Sequence, residues 1–304
     1  MKMDDLIKKL EDANIGRIEK DVQLSKHTTY KTGGIADIMV YPKSVDSLIK
    51  LMKIIKSENI KYKVLGNGSN LLFSDKRFEG IIIRLSELDE IEFLSKNKIR
   101  VGAGYSLMKL SLLAVKKGLA GLEFAAGIPG TIGGAVFMNA GAYKSDMGYI
   151  VQTVKVLTPD LKIITLENKE MDFHYRESFL QKHPDYICLE VVIRLEKGDK
   201  NTLEGVVKER RKRRVESQPL EYPSAGSVFR NPEGMFAGQM IEQLGLKGMK
   251  KGGAMVSEKH ANFIINYKKA TSADIKYLID YVHDKVLDEY SVDMKVEQEF
   301  VNWE

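Results

Sequence analysis

The architecture of this chain is indicated by one glycine-rich stretch, Gly127-Ile128-Pro129-Gly130-Thr131-Ile132-Gly133-Gly134-Ala135-Val136. It continues through Asn139-Ala140-Gly141-Ala142-Tyr143, so small residues are interspersed with Ile, Val and Phe over the whole segment. Residues this small allow a backbone to lie directly against a large flat ligand. A close-packed structural loop is the alternative, although packing alone seldom requires so many small residues. The stretch predicts a ligand-binding loop and leaves a packing loop open.

A second glycine-rich stretch, Leu65-Gly66-Asn67-Gly68-Ser69-Asn70-Leu71-Leu72, directly follows the apolar run 61–65. Its glycines let the backbone curl so that successive N–H groups converge, which produces an anion-binding concavity. Asn-Gly is also the strongest short signal for a hairpin turn, and that alternative stays open here. Together the two stretches suggest one extended ligand, such as a dinucleotide.

Other cofactor and metal motifs are absent from the sequence. The nearest G-x-G-x-x-G match begins at Gly102 and has Leu107 in place of its third glycine, so a turn before a capped helix explains it. There is no P-loop pattern, and the five histidines have no ligand spacing. We therefore expect no metal site.

Two polar segments carry further candidate residues. In His174-Tyr175-Arg176-Glu177-Ser178, an arginine beside aromatic residues can fork onto a carboxylate, and a surface ion pair is the alternative. In Pro223-Ser224-Ala225-Gly226-Ser227-Val228-Phe229-Arg230-Asn231-Pro232, small residues bring Ser227 close to a partner, or simply form a turn that enters a strand. No histidine base accompanies this serine, but a serine can still donate a proton through hydrogen bonds.

The hydrophobic pattern predicts an α+β or mixed α/β chain, in which short β-branched runs alternate with helical periodicity. Helices are expected after the caps Ser44 and Ser106, through the charged residues after 200, and from about residue 272. A domain boundary is expected near residue 197, where the composition turns polar. Strands are expected at 37–41, 61–65, 80–85, 98–102, 151–158, 162–166, 187–195, 227–230, 254–257, 262–266 and 293–301.

Charge and cysteine content narrow the class of protein. The net charge is +5 and the signs are interspersed, which does not indicate nucleic acid. The one basic run, Arg210–Arg214, is either the solvated end of a helix or a contact for a phosphate-bearing ligand. The single cysteine, Cys188, lies in an apolar run and is expected to be buried in a strand.

The location of the protein is expected to be cytoplasmic. The N-terminus lacks the apolar core of a signal peptide. The uncharged stretch from Phe124 to Tyr143 is long enough to span a bilayer, but it contains five Gly, one Pro and one Asn. A lipid-facing helix of that composition would not satisfy its backbone easily. No nucleic acid, membrane or obligate protein partner is expected.

These segments, in this order, resemble the UDP-N-acetylenolpyruvoylglucosamine reductase family, the flavoenzymes of peptidoglycan precursor synthesis. The resemblance extends from about residue 27 to residue 300, and the combination of motifs is highly specific. The short length, with little room for an inserted loop after Arg176, resembles the compact subtype. The matching stretches are Tyr30–Gly34, Leu65–Asn70, Gly127–Gly134, Tyr175–Ser178, Ala225–Pro232 and Lys259–Phe263.

The resemblance implies a vanillyl-alcohol-oxidase/PCMH-like FAD-binding fold of two subdomains, followed by a C-terminal α+β substrate domain. The FAD-binding domain would comprise residues 1–197, with its subdomains split near 85, and the substrate domain residues 198–304. The implied activity is the NADPH-dependent reduction of UDP-N-acetylglucosamine enolpyruvate to UDP-N-acetylmuramate, by hydride transfer from reduced FAD to the enol ether. The FAD is expected to be non-covalent, because no histidine or cysteine lies in the glycine-rich loops.

The resemblance also assigns roles to individual residues. Arg176 and Glu299 would stabilise the charge that develops on the substrate, and Ser227 would protonate its C2 atom. Glu297 lies two residues before Glu299 on the same strand face and remains an alternative acid. The substrate-binding residues would be Tyr175, Arg230 and Asn231. The FAD-binding residues would be Gly66, Asn67, Gly68, Ser69, Asn70, Ile128, Pro129, Gly130, Thr131, Gly133, Gly134 and Ala135.

Two rival functions remain at this level. One is an FAD-dependent oxidase or dehydrogenase of the same fold that acts on another alcohol or hydroxy acid. The other is a non-catalytic nucleotide-binding or nucleic-acid-binding protein that uses the basic run 210–214; it would be colourless, and its binding would collapse as salt rises.

Overall fold

The computed structural model describes residues 3–304, and these form helices and strands in mixed order. The chain folds into two compact units, both of them discontinuous in sequence. The first unit contains the N-terminal segment up to Lys20, Asp37–Gly66 and Glu79–Arg211. The second contains Asp21–Ala36, Asn67–Phe78 and Lys212–Glu304. The division into functional domains at residue 197 stays a prediction.

The helices follow their predicted boundaries because side-chain caps define their first turns. Ser44 Oγ accepts from Ser47 N at 3.1 Å, and Ser106 Oγ accepts from Lys109 N at 3.3 Å. Thr271 and Asp274 form a capping box, each side chain accepting from the other's backbone N–H at 3.0 Å. The helices are α1 (Met3–Asp12), α2 (Val45–Ser57), α3 (Leu107–Lys116), α4 (Ile132–Phe137), α5 (Phe179–Lys182), α6 (Lys200–Ser217), α7 (Ala237–Gln243) and α8 (Ser272–Tyr290).

The strands build one large antiparallel sheet and several smaller sheets. The five-stranded sheet has the order β12-β11-β13-β7-β6, and a four-stranded sheet has the order β1-β2-β5-β3. The strands are β1 (Gly16–Gln23), β2 (Ile35–Pro42), β3 (Tyr62–Val64), β4 (Leu71–Phe73), β5 (Phe78–Ile83), β6 (Ile91–Phe93), β7 (Lys98–Gly102), β8 (Leu119–Ala120), β9 (Gly141–Ala142), β10 (Ser145–Asp146), β11 (Val151–Leu157), β12 (Ile163–Glu167), β13 (Ile187–Arg194), β14 (Glu196–Lys197), β15 (Lys250–Lys251), β16 (Ala254–Val256), β17 (Ile264–Asn266) and β18 (Glu299–Val301).

The first unit has its own apolar core between these sheets and helices. Parts of β7 and β13 alternate buried and less buried residues, as in Ile99 to Val101 and Val191 to Ile193, which is the pattern of a sheet with one face against the core. Cys188 lies buried in β13, as its apolar neighbours predict, and burial raises the pKa of its thiol to about 12. The near-match at Gly102 is explained by packing, because a Cβ there would meet the Leu88 carbonyl oxygen at 2.1 Å.

The second unit packs α7 and α8 with the three-stranded sheet β15-β16-β17 and the parallel pair β18-β4. Helix α8 buries Ile275, Leu278, Ile279, Val282 and Val286, the face that its periodicity predicts. The carboxylate of Asp75 accepts from the first two N–H groups of α8, at 2.9 and 3.0 Å. The unit therefore has a continuous core of its own.

Two predicted strands of the second unit are wrong in extent. The segment 227–230 is one isolated bridge, Phe229 to Val296, because the side chain of Asn262 occupies its other edge in place of a strand. The segment 293–301 is a strand only over Glu299–Val301. Its earlier part pairs with the Phe229 segment and its later part with β4, so the chain changes partner midway.

Candidate active site

Gly66, the last residue of the first glycine-rich stretch that belongs to the first unit, lies close to Thr131 of the second stretch in the same unit. Thr131 caps α4, and its Oγ1 accepts from Gly134 N at 3.3 Å. A Cβ added to Gly66 would lie 2.8 Å from that same Oγ1. Gly66 therefore lets the backbone near the start of the first stretch approach the threonine in the middle of the second.

The glycines of the second stretch differ in whether packing within the protein requires them. A Cβ at Gly133 would lie 3.1 Å from the Cβ of Ala103, so this glycine serves close packing. A Cβ at Gly130 would meet nothing within 4 Å, so packing within the protein does not require glycine there. Ala135 is buried in the core, whereas Ile128 is partly buried against it and Pro129 is exposed. The packing and ligand-binding interpretations thus apply to different residues.

The first stretch is not the hairpin turn that Asn-Gly can form. The strands before and after it pair elsewhere, β3 with β5 and β4 with β18, both in parallel. Gly68 adopts φ +62°, and its carbonyl accepts from Thr29 N at 3.0 Å and Thr29 Oγ1 at 3.2 Å. Among residues 3–304, the N–H groups of Asn67, Gly68 and Ser69 find no hydrogen-bond acceptor. Unpaired, consecutive N–H groups of this kind suit the phosphate groups of a dinucleotide.

The open space at Gly130 and the free N–H groups of the first stretch test the expected cofactor. The open space at Gly130 provides room for a flat ring system beside the backbone. The free N–H groups of Asn67, Gly68 and Ser69 provide donors for a pyrophosphate. No group of three His, Cys, Asp or Glu side chains within residues 3–304 is arranged to hold a metal ion. The residues present therefore fit FAD.

Arg176 is held against the continuation of the second stretch. Its backbone has φ +59°, a conformation that non-glycine residues rarely adopt. Its Nη2 donates to the Gly141 carbonyl at 2.7 Å, and Gln181 Nε2 donates to the Arg176 carbonyl at 2.9 Å. The neighbouring Tyr175 is exposed, with its ring centroid 5.2 Å from the Arg176 guanidinium carbon. The backbone of Arg176 is thus held in an uncommon conformation, and the role of its side chain stays a prediction.

Ser227 lies in the second unit, on a segment that is hydrogen-bonded on both of its edges. On one side, Arg230 N donates to the Lys295 carbonyl and Glu297 N to the Val228 carbonyl, at 2.9 and 2.8 Å. On the other side, Asn262 Oδ1 accepts from Phe229 N and its Nδ2 donates to the Phe229 carbonyl, at 2.9 and 2.8 Å. Ser227 itself is half-buried at the start of this segment.

Asn231 has a structural contact besides its predicted substrate contact. Its Oδ1 accepts from Ala237 N, the first residue of α7, at 3.1 Å. The side-chain oxygen is therefore occupied, and the Nδ2 group is the part of this amide that can donate to a ligand. Arg230, the residue before it, is half-buried beside the same segment.

Both candidate acids lie next to Asn70 of the first glycine-rich stretch. Glu299 N donates to the Asn70 carbonyl at 3.0 Å, and Asn70 Nδ2 donates to the Glu297 carbonyl at 3.1 Å. Glu297 and Glu299 are half-buried, and the residue between them, Gln298, is buried. The second unit thus brings Asn70, Ser227 and both acids together, whereas Arg176 belongs to the first unit.

Gln298, Asn262 and Tyr30 organise this part of the site, and none was predicted to do so. Tyr30 and Asn262 appeared only as members of matching stretches. The available signal was a polar residue inside an apolar run, as for Asn262 in Ala261-Asn262-Phe263. A buried amide in such a run must find partners, which makes it a structural candidate.

Comparison with known proteins first defines the class. The family model described as "FAD binding domain" matches residues 36–167, so the chain is a flavoprotein of the FAD-binding α+β class. The model described as "UDP-N-acetylenolpyruvoylglucosamine reductase, C-terminal domain" matches residues 218–301.

Full-length relatives then define the family. The chain is 46% identical to UDP-N-acetylenolpyruvoylglucosamine reductase of Anoxybacillus flavithermus and 44% identical to that of Bacillus subtilis, over 98% of this chain and 99% of each relative. A crystal structure of UDP-N-acetylenolpyruvylglucosamine reductase from Thermus caldophilus matches with a TM-score of 0.80 at 34% identity, covering 94% of this chain and 99% of that one. The chain belongs to the UDP-N-acetylenolpyruvoylglucosamine reductase family.

The family and the fold class are thereby confirmed. The individual site residues stay predictions. Within the described residues, no helix combines the length and the apolar character that crossing a membrane requires.

Proposed function

We propose that this chain reduces UDP-N-acetylglucosamine enolpyruvate to UDP-N-acetylmuramate with NADPH, in peptidoglycan precursor synthesis. The observation that carries the proposal is the near-full-length identity of 44–46% to reductases of that name. A chain of this family that keeps the two glycine-rich stretches, Arg176 and Ser227 has the residue types that the reaction needs. The cytoplasmic location remains a prediction.

The glycine-rich stretches would hold FAD without a covalent bond. The free N–H groups of Asn67, Gly68 and Ser69 would donate to its pyrophosphate, and the open space at Gly130 would admit its ring system. When bound, FAD would supply the redox chemistry, the transfer of a hydride from NADPH to the enol ether. The absence of a Cβ at Gly66 leaves room for the Thr131 hydroxyl beside this backbone.

The side chains of this protein would control charge and protons on the substrate. Hydride addition to the enol ether places negative charge beside a carboxylate, so a cation must stabilise it. The guanidinium of Arg176, anchored at the Gly141 carbonyl, provides that cation with a fixed direction. Glu299 would assist, and Ser227 would deliver the proton to C2 from its hydroxyl.

Substrate binding would involve Tyr175, Arg230 and Asn231. The exposed ring of Tyr175 offers an apolar surface beside the Arg176 guanidinium. The Asn231 Nδ2 group can donate to a ligand because its oxygen is already occupied by Ala237 N. The guanidinium of Arg230 suits the carboxylate or the diphosphate of the substrate.

The direct test follows the absorbance of the FAD-reconstituted protein without oxygen. Oxidised-flavin bands should bleach with NADPH and return when the enolpyruvyl sugar nucleotide is added. Bleaching without return would favour an oxidase or dehydrogenase for another substrate. A protein that stays colourless after reconstitution would favour the non-catalytic alternative.

The role of Ser227 is tested with Ser227→Ala. We expect reduction by NADPH to be nearly unchanged and reoxidation by substrate to slow by ~10²–10⁴-fold, the usual contribution of a positioned proton donor. Ser224→Ala is the matched control, since Ser224 is half-buried in the same segment. Equal loss in both half-reactions would contradict the proton-donor role.

The choice between the two acids is tested with Glu299→Gln and Glu297→Gln. Each change removes one carboxylate and keeps the size of the side chain, so the two variants control for each other. We expect reoxidation to be slowed far more by Glu299→Gln. The reverse order would assign the role to Glu297.

A further inference from the structure

Gln298 lies between the two candidate acids and is almost fully buried, with 3% of its surface exposed. Its side-chain amide is surrounded by hydrogen-bonding groups of the second unit. The Oε1 atom accepts from the Tyr30 hydroxyl at 2.9 Å. The Nε2 atom faces three consecutive carbonyl oxygens, those of Ala225 at 3.3 Å, Gly226 at 3.3 Å and Ser227 at 3.4 Å.

These contacts fix the orientation of the amide. Carbonyl oxygens only accept hydrogen bonds, so the side of the amide that faces three of them must be its NH2 group. The two N–H donors of the Gln298 Nε2 group therefore serve three carbonyl acceptors. The oxygen then points at the Tyr30 hydroxyl, which donates to it; burial raises the pKa of Tyr30 and keeps this donor protonated.

Tyr30 is itself held rigidly. Its side chain is fully buried, and its carbonyl accepts from Asn266 Nδ2 at 2.9 Å. Asn266 N in turn donates to the Pro223 carbonyl at 2.9 Å, at the start of the Ser227 segment. The Tyr30 hydroxyl thus provides a fixed reference point for the Gln298 amide.

The backbone before Ser227 is not held in place by packing at Gly226. Gly226 has φ +78°, and a Cβ there would meet nothing within 4 Å. A glycine in open space has wide conformational freedom, and no side chain packs against its missing Cβ. The amide of Gln298 contacts the carbonyl of this glycine and those of both neighbours. Hydrogen bonds, in place of side-chain packing, therefore restrict the backbone conformation here.

We propose that Gln298, oriented by Tyr30, is a positioning residue that holds the Ala225–Ser227 backbone so that the Ser227 hydroxyl meets the substrate carbon it protonates. This inference rests on the proposed function. Gln298 touches no reacting atom; it acts through Ser227. The same amide fixes the backbone between Glu297 and Glu299, so one buried side chain aligns the proton donor with both candidate acids.

The test compares Gln298→Met, which has a similar length but no amide, with Val282→Ala. Val282 is buried in α8 of the same unit, so this control removes methyl groups from the core and keeps every hydrogen bond of the Gln298 amide. In the FAD-free proteins, hydrogen exchange of a peptide covering 225–230 should quicken about tenfold in Gln298→Met and stay unchanged in Val282→Ala. Unchanged exchange in Gln298→Met would overturn the proposal.

In the FAD-loaded enzymes, Gln298→Met should slow reoxidation by substrate ~10- to 100-fold, the loss expected from a small misplacement of a reacting group. Reduction by NADPH should stay within about twofold of the wild-type rate, and the solvent deuterium isotope effect on reoxidation should rise because proton transfer becomes limiting. A merely structural role would slow both half-reactions together, and that result would refute the positioning role.

Tyr30→Phe removes a single oxygen atom and carries the test should Gln298→Met fail to fold. It should give the same split between half-reactions at a smaller size, ~2- to 5-fold, because the Nε2 contacts remain. No split in this variant would contradict the part assigned to Tyr30. A wild-type enzyme that substrate does not reoxidise would instead refute the proposed function, while the exchange experiment would still decide whether Gln298 holds the segment.

Discussion

Replacement of Asn262 by alanine should be among the more damaging single changes in the second unit. The Asn262 side chain pairs with both backbone groups of Phe229, at 2.9 and 2.8 Å, and both residues are buried. Without it, the Phe229 N–H and carbonyl lose their partners in a place that water reaches poorly. Each unsatisfied buried group costs ~1–3 kcal/mol, so the loss of both partners in Asn262→Ala should lower the free energy of unfolding by about 2–6 kcal/mol.

The measurement is equilibrium unfolding in urea of the FAD-free protein. Asn201→Ala, an exposed asparagine on α6, is the control and should change the free energy by less than about 0.5 kcal/mol. Asn262→Asp separates the two hydrogen bonds, because a carboxylate still accepts from Phe229 N but cannot donate to the carbonyl. It should be destabilising at pH 7 and less so at pH 4, where protonation restores a donor. A loss below ~1 kcal/mol for Asn262→Ala would show that water replaces the amide and that the buried groups of Phe229 do not depend on it.

Two glycine substitutions should separate FAD binding from stability. Gly130→Ala should leave the melting temperature of the FAD-free protein unchanged but weaken FAD binding about tenfold, whereas Gly66→Ala should lower both the melting temperature and the affinity, because its Cβ would clash with Thr131. The affinities are measured by titrating each apoprotein with FAD. An unaltered affinity in Gly130→Ala would contradict a role of this position in FAD binding. The carboxylates of Asp293 and then Asp284 accept hydrogen bonds from the His283 ring, which raises the pKa of His283 above its ordinary 6.5. The stabilisation is therefore complete below about pH 6.5 and is lost as the pH rises through the raised value. Asp293→Asn should cost up to ~1 kcal/mol at pH 5.5 and nothing at pH 9, measured by urea unfolding at each pH; equal cost at both would refute the ion pair.

Much of the first unit could be predicted because its signals are local. The strand at Lys98–Gly102 has its predicted bounds, and α2 and α3 begin directly after the predicted caps. Apolar periodicity and capping residues act within a few positions of the chain, so no tertiary information is needed to read them. The buried position of Cys188 follows from its apolar neighbours in the same way.

The chemistry-bearing segments were also visible in the sequence, although their partners were not. The density of glycine near residues 66 and 130 indicated close approach of backbone. Whether each glycine serves packing or a ligand depends on what lies opposite its missing Cβ. That is Ala103 for Gly133 and open space for Gly130, and neither could be read from spacing alone.

The class of this protein can be read from its sequence, because its helices and strands, its glycine-rich loops and its family motifs are all local patterns. The assembly of the second unit is visible only in the fold, since residues 30, 70, 227, 262 and 298 meet there across long separations. Hydrogen bonds between such distant residues leave no periodic trace, because a buried amide needs one partner in space and none at a fixed distance along the chain. Gln298 is therefore inconspicuous in the sequence and central to the folded second unit.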